Sequence, residues 1–70
     1  MGIKHRFGER LRQLRLAAEL TQLDVAEACD VSVETISNIE RGKHGPRLEL
    51  IEALAKAVNT QLPELFTFDY

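Results

Sequence analysis

The sequence predicts an all-α fold in which five helices pack into a single domain. Three observations carry that reading. Apolar residues recur at spacings of three and four along nearly the whole chain, the period of one helix face. No segment alternates apolar and polar side chains, as a half-buried strand requires. Between the apolar runs stand residues that start and stop helices, namely Thr21, Ser32, Gly42 and Pro46. No repeat, linker or low-complexity tract divides residues 1–70, so one domain is expected, with a core from about 7 to 66 and a short apolar tail at 67–70.

In the first helix, from about Phe7 to Glu19, Phe7, Leu11, Leu14 and Ala18 form one face and Arg10, Arg12 and Gln13 face outward. Thr21, with Asp24 three residues on, reads as an N-cap with an aspartate variant of the capping box, so a second helix starts at Gln22. It is short, with Val25, Ala26 and Cys29 inward. Ser32 caps a third helix, whose first turn holds Glu34 where the positive end of the helix dipole favours a carboxylate. Ile36 and Ile39 face inward from it, and Gly42 ends it in the left-handed conformation common at such termini. Pro46 opens a fourth helix, about Arg47 to Val58, with Leu48, Ile51, Leu54, Ala55 and Val58 inward and Leu50 outward. A last helix, about Leu62 to Phe66, returns Leu65 and Phe66 to the core.

Composition narrows the function. A chain of 70 residues buries only about 60% of the surface its unfolded form exposes, so it has stability to gain from pairing with a second copy. The single cysteine, Cys29, excludes an internal disulfide and a cysteine-based zinc site, and reads as a core residue. No apolar run is long enough to span a membrane and no signal peptide is visible, so a soluble, cytoplasmic protein is expected. His5 and His44 lack partners at metal-ligand spacing, and there is no nucleophile with a base and no phosphate-binding glycine loop. The expectation is no enzyme, no metal, no cofactor and no small-molecule effector.

Net charge is −2, but its distribution is uneven. Residues 1–15 carry a net +4, residues 16–40 a net −6, residues 41–47 a net +3 through Arg41, Lys43 and Arg47, and the remainder a net −3. The basic charge thus lies in two short blocks that flank the second and third helices. Two short helices joined by about three residues must cross steeply, as in a helix-turn-helix, and the second of them protrudes. With Ile36 and Ile39 inward, that helix presents Val33, Glu34, Thr35, Ser37 and Asn38 outward. Hydroxyls, an amide, a carboxylate and a methyl-bearing side chain are groups that can read base edges in a DNA major groove.

At these residues the chain resembles the phage-repressor and Cro-like helix-turn-helix proteins, the XRE family. The resemblance runs from about Phe7 to Phe66 through "GERLRQLR", "TQLDVAEACDVS", "ETISNIERGK", "GPRLELIEALAKAV" and "LPELF" in order. It implies a lambda-repressor-like DNA-binding fold and a transcription regulator bound to double-stranded DNA, most simply a repressor that occupies a promoter. It also implies roles for single residues. Gln22 would bond a backbone phosphate. Val33, Glu34 and Asn38 would read bases, with Thr35 and Ser37 as base or phosphate contacts. Arg41 and Lys43 would meet phosphate. Arg15 and Glu40 match an ion pair between the first and third helices, the arginine also facing the DNA backbone. Two departures are plain: Asp30 and Asn59 stand where glycine is usual. Glu34 would repel phosphates unless it accepts from a cytosine amine.

Each assignment has a structural counterpart. Thr21 and Ser32 are caps whatever else they touch, Glu34 can serve the helix dipole alone, and Arg15 with Glu40 can be purely structural. The end of the chain, "LPELFTFDY", holds more apolar side chains than one short helix can bury. Leu62, Leu65, Phe66, Phe68 and Tyr70, with Leu50, are therefore the candidates for a homodimer interface. Alternatively Leu65 and Phe66 complete the core and the last residues fray. Two rival functions stay open: an antitoxin-like or adaptor module whose tail binds another protein, and a restriction-modification controller protein that can activate as well as repress.

Overall fold

A computed structural model describes residues 2–68. Tyr70, one of the dimer candidates, lies outside the described residues. Among them are four α-helices, α1 (Ile3–Ala17), α2 (Gln22–Cys29), α3 (Val33–Glu40) and α4 (Leu48–Ala57), followed by a 3-10 helix at Leu62–Phe66. The expectation of five helices is corrected in its last member. Amides bond back three residues there, Glu64 N–H to the Gln61 carbonyl at 3.0 Å and Thr67 N–H to the Glu64 carbonyl at 3.4 Å. A segment of five residues with Pro63 near its start has too few amide donors to build the wider α-helical ladder.

The first helix starts four residues earlier than the apolar spacing predicts. Gly2 is its N-cap, and the Gly2 carbonyl accepts from the amides of His5 and Arg6 at 3.1 and 3.2 Å. This added turn buries no apolar side chain, so periodicity could not reveal it. At the other end the helix stops at Ala17, not Glu19, because Glu19 turns left-handed with φ 61°.

All four α-helices end alike. Beyond each, one residue sits in the left-handed region: Glu19, Asp30, Gly42 and Asn59, with φ between 57° and 76°. The next amide bonds to a carbonyl five residues back: Leu20 to Arg15 at 3.1 Å, Val31 to Ala26 at 3.0 Å, Lys43 to Asn38 and Thr60 to Ala55 at 2.9 Å. This is the motif that satisfies the orphan carbonyls of a helix end. Asp30 and Asn59, which stand where the family resemblance places glycine, adopt the left-handed conformation, since short polar side chains tolerate it.

The core consists of Phe7, Leu11, Val25, Ala26, Ile36, Ile39, Leu54, Ala55, Val58 and Leu65. Leu48, Leu50 and Phe66 depart from the expected inward and outward faces, and Leu65 and Phe68 from the expected dimer surface. Leu48 is 81% exposed, because the first turn of α4 overhangs an open groove that it shares with Leu62 and Phe66. Leu50, expected outward, is half-buried and packs on the core, since it lies one turn before Leu54 on the same face. Leu65 is fully buried, so a second copy cannot reach it. Phe66 is 43% exposed and meets the core residue Phe7, with ring centroids 5.2 Å apart. Phe68 packs against the core from the other side of Phe66, at 6.1 Å.

One glycine sets how closely α1 meets α3. A Cβ on Gly8 would lie 2.2 Å from the Ile39 carbonyl oxygen and 2.7 Å from that of Glu40. Both obstacles are backbone, so no side-chain rotation relieves them. Gly8→Ala is therefore expected to cost about 3 kcal/mol by overpacking. Gly2→Ala, with nothing within 4 Å of its Cβ position, should cost no more than about 1 kcal/mol, the preference of an N-cap for glycine over alanine. Urea unfolding of both variants checks the contrast.

Candidate nucleic-acid interface

The protruding pair is built by its caps. Thr21 Oγ1 accepts from the Asp24 amide at 3.0 Å, and Asp24 Oδ2 accepts from the Thr21 amide at 2.9 Å. The Thr21 backbone N–H, with its hydroxyl, holds the Asp24 carboxyl below its ordinary pKa. The left-handed Asp30 then reverses the chain, and Ser32 opens α3 by accepting from the Thr35 amide at 3.1 Å. The hydroxyls of Ser32 and Thr35 are 2.9 Å apart. Cys29, half-buried at the end of α2, has its thiol pKa raised by burial, which keeps it protonated.

Ile36 and Ile39 anchor α3 in the core. Its opposite face carries the residues expected to read bases: Val33 and Glu34 are exposed, and Thr35, Ser37 and Asn38 are half-buried. Arg41 and Lys43 stand exposed just past the helix end. Arg41 Nη2 donates to Asn38 Oδ1 at 3.0 Å.

Arg15 and Glu40 form the expected ion pair, and it is buried. Arg15 Nε donates to Glu40 Oε2 at 2.6 Å, Nη2 to Oε1 at 3.1 Å, and Nη1 to the Leu20 carbonyl at 2.9 Å. Arg15 is 8% exposed in this arrangement, and its three bonds leave two of the five guanidinium N–H donors unspent. Gln22 reaches the same carboxylate, its Nε2 donating to Glu40 Oε1 at 3.1 Å. Gln22 is half-buried at the first position of α2, so the network ends at the surface in an amide. The structure thus brings Arg15, Gln22 and Glu40 together, and Asn38 with Arg41. Lys43, Val33 and Glu34 join neither group.

Sequence reasoning missed two supporting residues. Gly8 lets α1 approach the end of α3, and a glycine inside a helix was the available signal, since it costs stability there unless something needs the space. Arg10, expected to face solvent, donates from Nε to the Glu64 carbonyl at 2.8 Å and ties α1 to the 3-10 helix. Nothing in local spacing could announce a partner 54 residues away.

This arrangement can present a polar helix face, flanked by amide and cationic donors, to a polyanion. The model of a helix-turn-helix domain family matches residues 6–66, and the chain belongs to that family. It is a DNA-binding transcription regulator. An HTH-type transcriptional regulator of Archaeoglobus fulgidus is 37% identical over 60 residues, covering 86% of each chain. The control protein C.BamHI of Bacillus amyloliquefaciens is 38% identical over 63 residues, 89% of this chain and 78% of that one. Among solved structures, the restriction-modification controller protein C.AhdI from Aeromonas hydrophila superposes with a TM-score of 0.86 at 35% identity, over 90% of this chain and 96% of that one.

Removing one partner of the buried pair should leave an uncompensated charge. Glu40→Ala is expected to cost about 3–5 kcal/mol, a large part of the stability of so small a domain. Gln22→Ala leaves Arg15 and Glu40 bonded to each other and should cost no more than about 1 kcal/mol. Thermal unfolding followed by circular dichroism distinguishes the two.

Proposed function

We propose that the protein represses transcription as a homodimer, binding a palindromic operator with α3 in the major groove of each half-site. The observation that carries this reading is the outward face of α3, bearing Val33, Glu34, Thr35, Ser37 and Asn38 between the surface amide of Gln22 and the cations Arg41 and Lys43. Bases are read by the former group and phosphates are held by the latter. The domain is about 30 Å in its longest dimension. Two copies side by side therefore match half-sites about 34 Å apart, one helical turn of DNA.

The dimer surface that fits this reading is shifted from the one expected. Leu50, Leu65 and Phe68 pack inward, which leaves Leu62 and Phe66, now joined by Leu48 and by Ile3, 58% exposed. Two shallow apolar grooves meet there at Ile51 and Phe66. Lys4 edges one groove, and Glu49 and Glu52 edge the other. A patch with a cation at one end and carboxylates at the other is self-complementary under two-fold rotation. A second reading, a controller protein that activates as well as represses, is favoured by the likeness to C.AhdI over 96% of that chain.

Selection from random duplexes at about 150 mM salt, where phosphate attraction alone is weak, tests the central reading; enrichment of one palindrome is the expected result. Lys43→Ala should weaken binding to every sequence alike and flatten the salt slope by about one unit. Leu48→Glu should yield a folded monomer by sedimentation and lose affinity for the palindrome. Failure of the folded wild type to enrich any sequence would overturn the operator reading.

A further inference from the structure

The contact between Arg41 and Asn38 bears on which base the helix face selects. An asparagine recognises adenine by using both ends of its amide at once, accepting from N6 through Oδ1 and donating to N7 through Nδ2. In this protein Oδ1 is engaged by Arg41 Nη2 at 3.0 Å. The orientation of the amide follows from chemistry, because a guanidinium only donates and so can face only the oxygen. The bond is charge-assisted; it takes one of the two lone pairs of Oδ1 and ties that oxygen to the Arg41 side, so an adenine amine would have to share an acceptor already committed to a cation. What remains directed away from Arg41 is Nδ2, a donor with two hydrogens.

We infer that Arg41 is a positioning residue for specificity: it fixes Asn38 as a donor, so that Asn38 selects guanine rather than adenine in each half-site. Guanine offers two acceptors, O6 and N7, on its major-groove edge, where thymine offers only O4. The Nδ2 group matches the guanine edge and leaves Oδ1 wholly to Arg41. Both side chains project from the last turn of α3 and the residue after it, with Asn38 half-buried and therefore restrained. Arg41 acts here through Asn38, which differs from a role as a phosphate contact alone.

The inference rests on the operator reading, and one experiment separates the two. The full chain and its Asn38→Ala, Arg41→Ala and Arg41→Lys variants are each used to select from random synthetic duplexes, with folding checked by circular dichroism. Asn38→Ala locates the base pair, as the position where preference falls most. The wild type should prefer guanine over adenine there by about tenfold, the discrimination a good base contact supplies. Arg41→Ala frees Oδ1 and should invert the preference to adenine at that position while leaving the others unchanged. Arg41→Lys, which keeps a donor for Oδ1, should retain guanine. Adenine in the wild type overturns the inference, and so does an Arg41→Ala variant that binds all sequences more weakly with the same preferred base. If the folded wild type enriches no sequence, the operator reading fails and this assignment falls with it.

Discussion

The buried contact between Arg15 and Glu40 is the constraint on which the rest of the molecule depends. It joins the middle of the sequence to the first helix in a space where neither charge has water to return to. Each oxygen of Glu40 is engaged, and Arg15 also donates to the carbonyl of Leu20, the residue whose amide closes the turn after α1. Such a pair adds little net stability relative to apolar residues of the same volume, since desolvation offsets most of the attraction. Its contribution is orientation. Bidentate geometry fixes the end of α3 against α1 in direction as well as distance, which apolar packing alone does not do. On the same face of α1, Leu11 and Gly8 continue the contact, and the missing Cβ of Gly8 lets the two backbones approach. Gln22 then carries the network to the surface at the start of α2.

The helix pair gains from this arrangement what its own length cannot supply. Helices of eight residues, such as α2 and α3, are marginal in isolation. Their caps satisfy the first amides, their left-handed termini satisfy the last carbonyls, and Val25, Ala26, Ile36 and Ile39 fasten them to the core. The polar face of α3 is thereby left largely free of structural duties, the bonds of Asn38 to Arg41 and of the Thr35 hydroxyl to that of Ser32 apart. A rigid support beneath an unburied polar face is what a base-reading element requires.

Much of this was legible in the sequence, and the reasons are local. Thr21 with Asp24, and Ser32 before Val33, are capping signals that act within one turn, so α2 and α3 could be placed to the residue. The inward faces of α3 and α1 follow from periodicity, and the left-handed Gly42 from its place at a helix end. What escaped was set by neighbours distant in sequence. Leu48 has the right phase for the core but overhangs its edge, and Leu50, one turn before Leu54, is half-buried because the core extends to that flank of α4. Phe66 and Leu65 are adjacent and equally apolar, yet only Leu65 points into the core. The Arg15 and Glu40 pairing came from family resemblance; its burial, and its hold on Gln22, did not.

If the pair orients and does little else, replacing both charges by apolar residues should separate folding from reading. The decisive measurement is the ratio of affinities for the selected palindrome and for random duplex in the Arg15→Met, Glu40→Leu double variant, alongside its unfolding midpoint. Stability near that of the parent with a specificity ratio reduced by about tenfold or more is the predicted result, because α3 and Gln22 lose their fixed orientation while the core stays filled. An unchanged specificity ratio in a stably folded double variant would contradict the account.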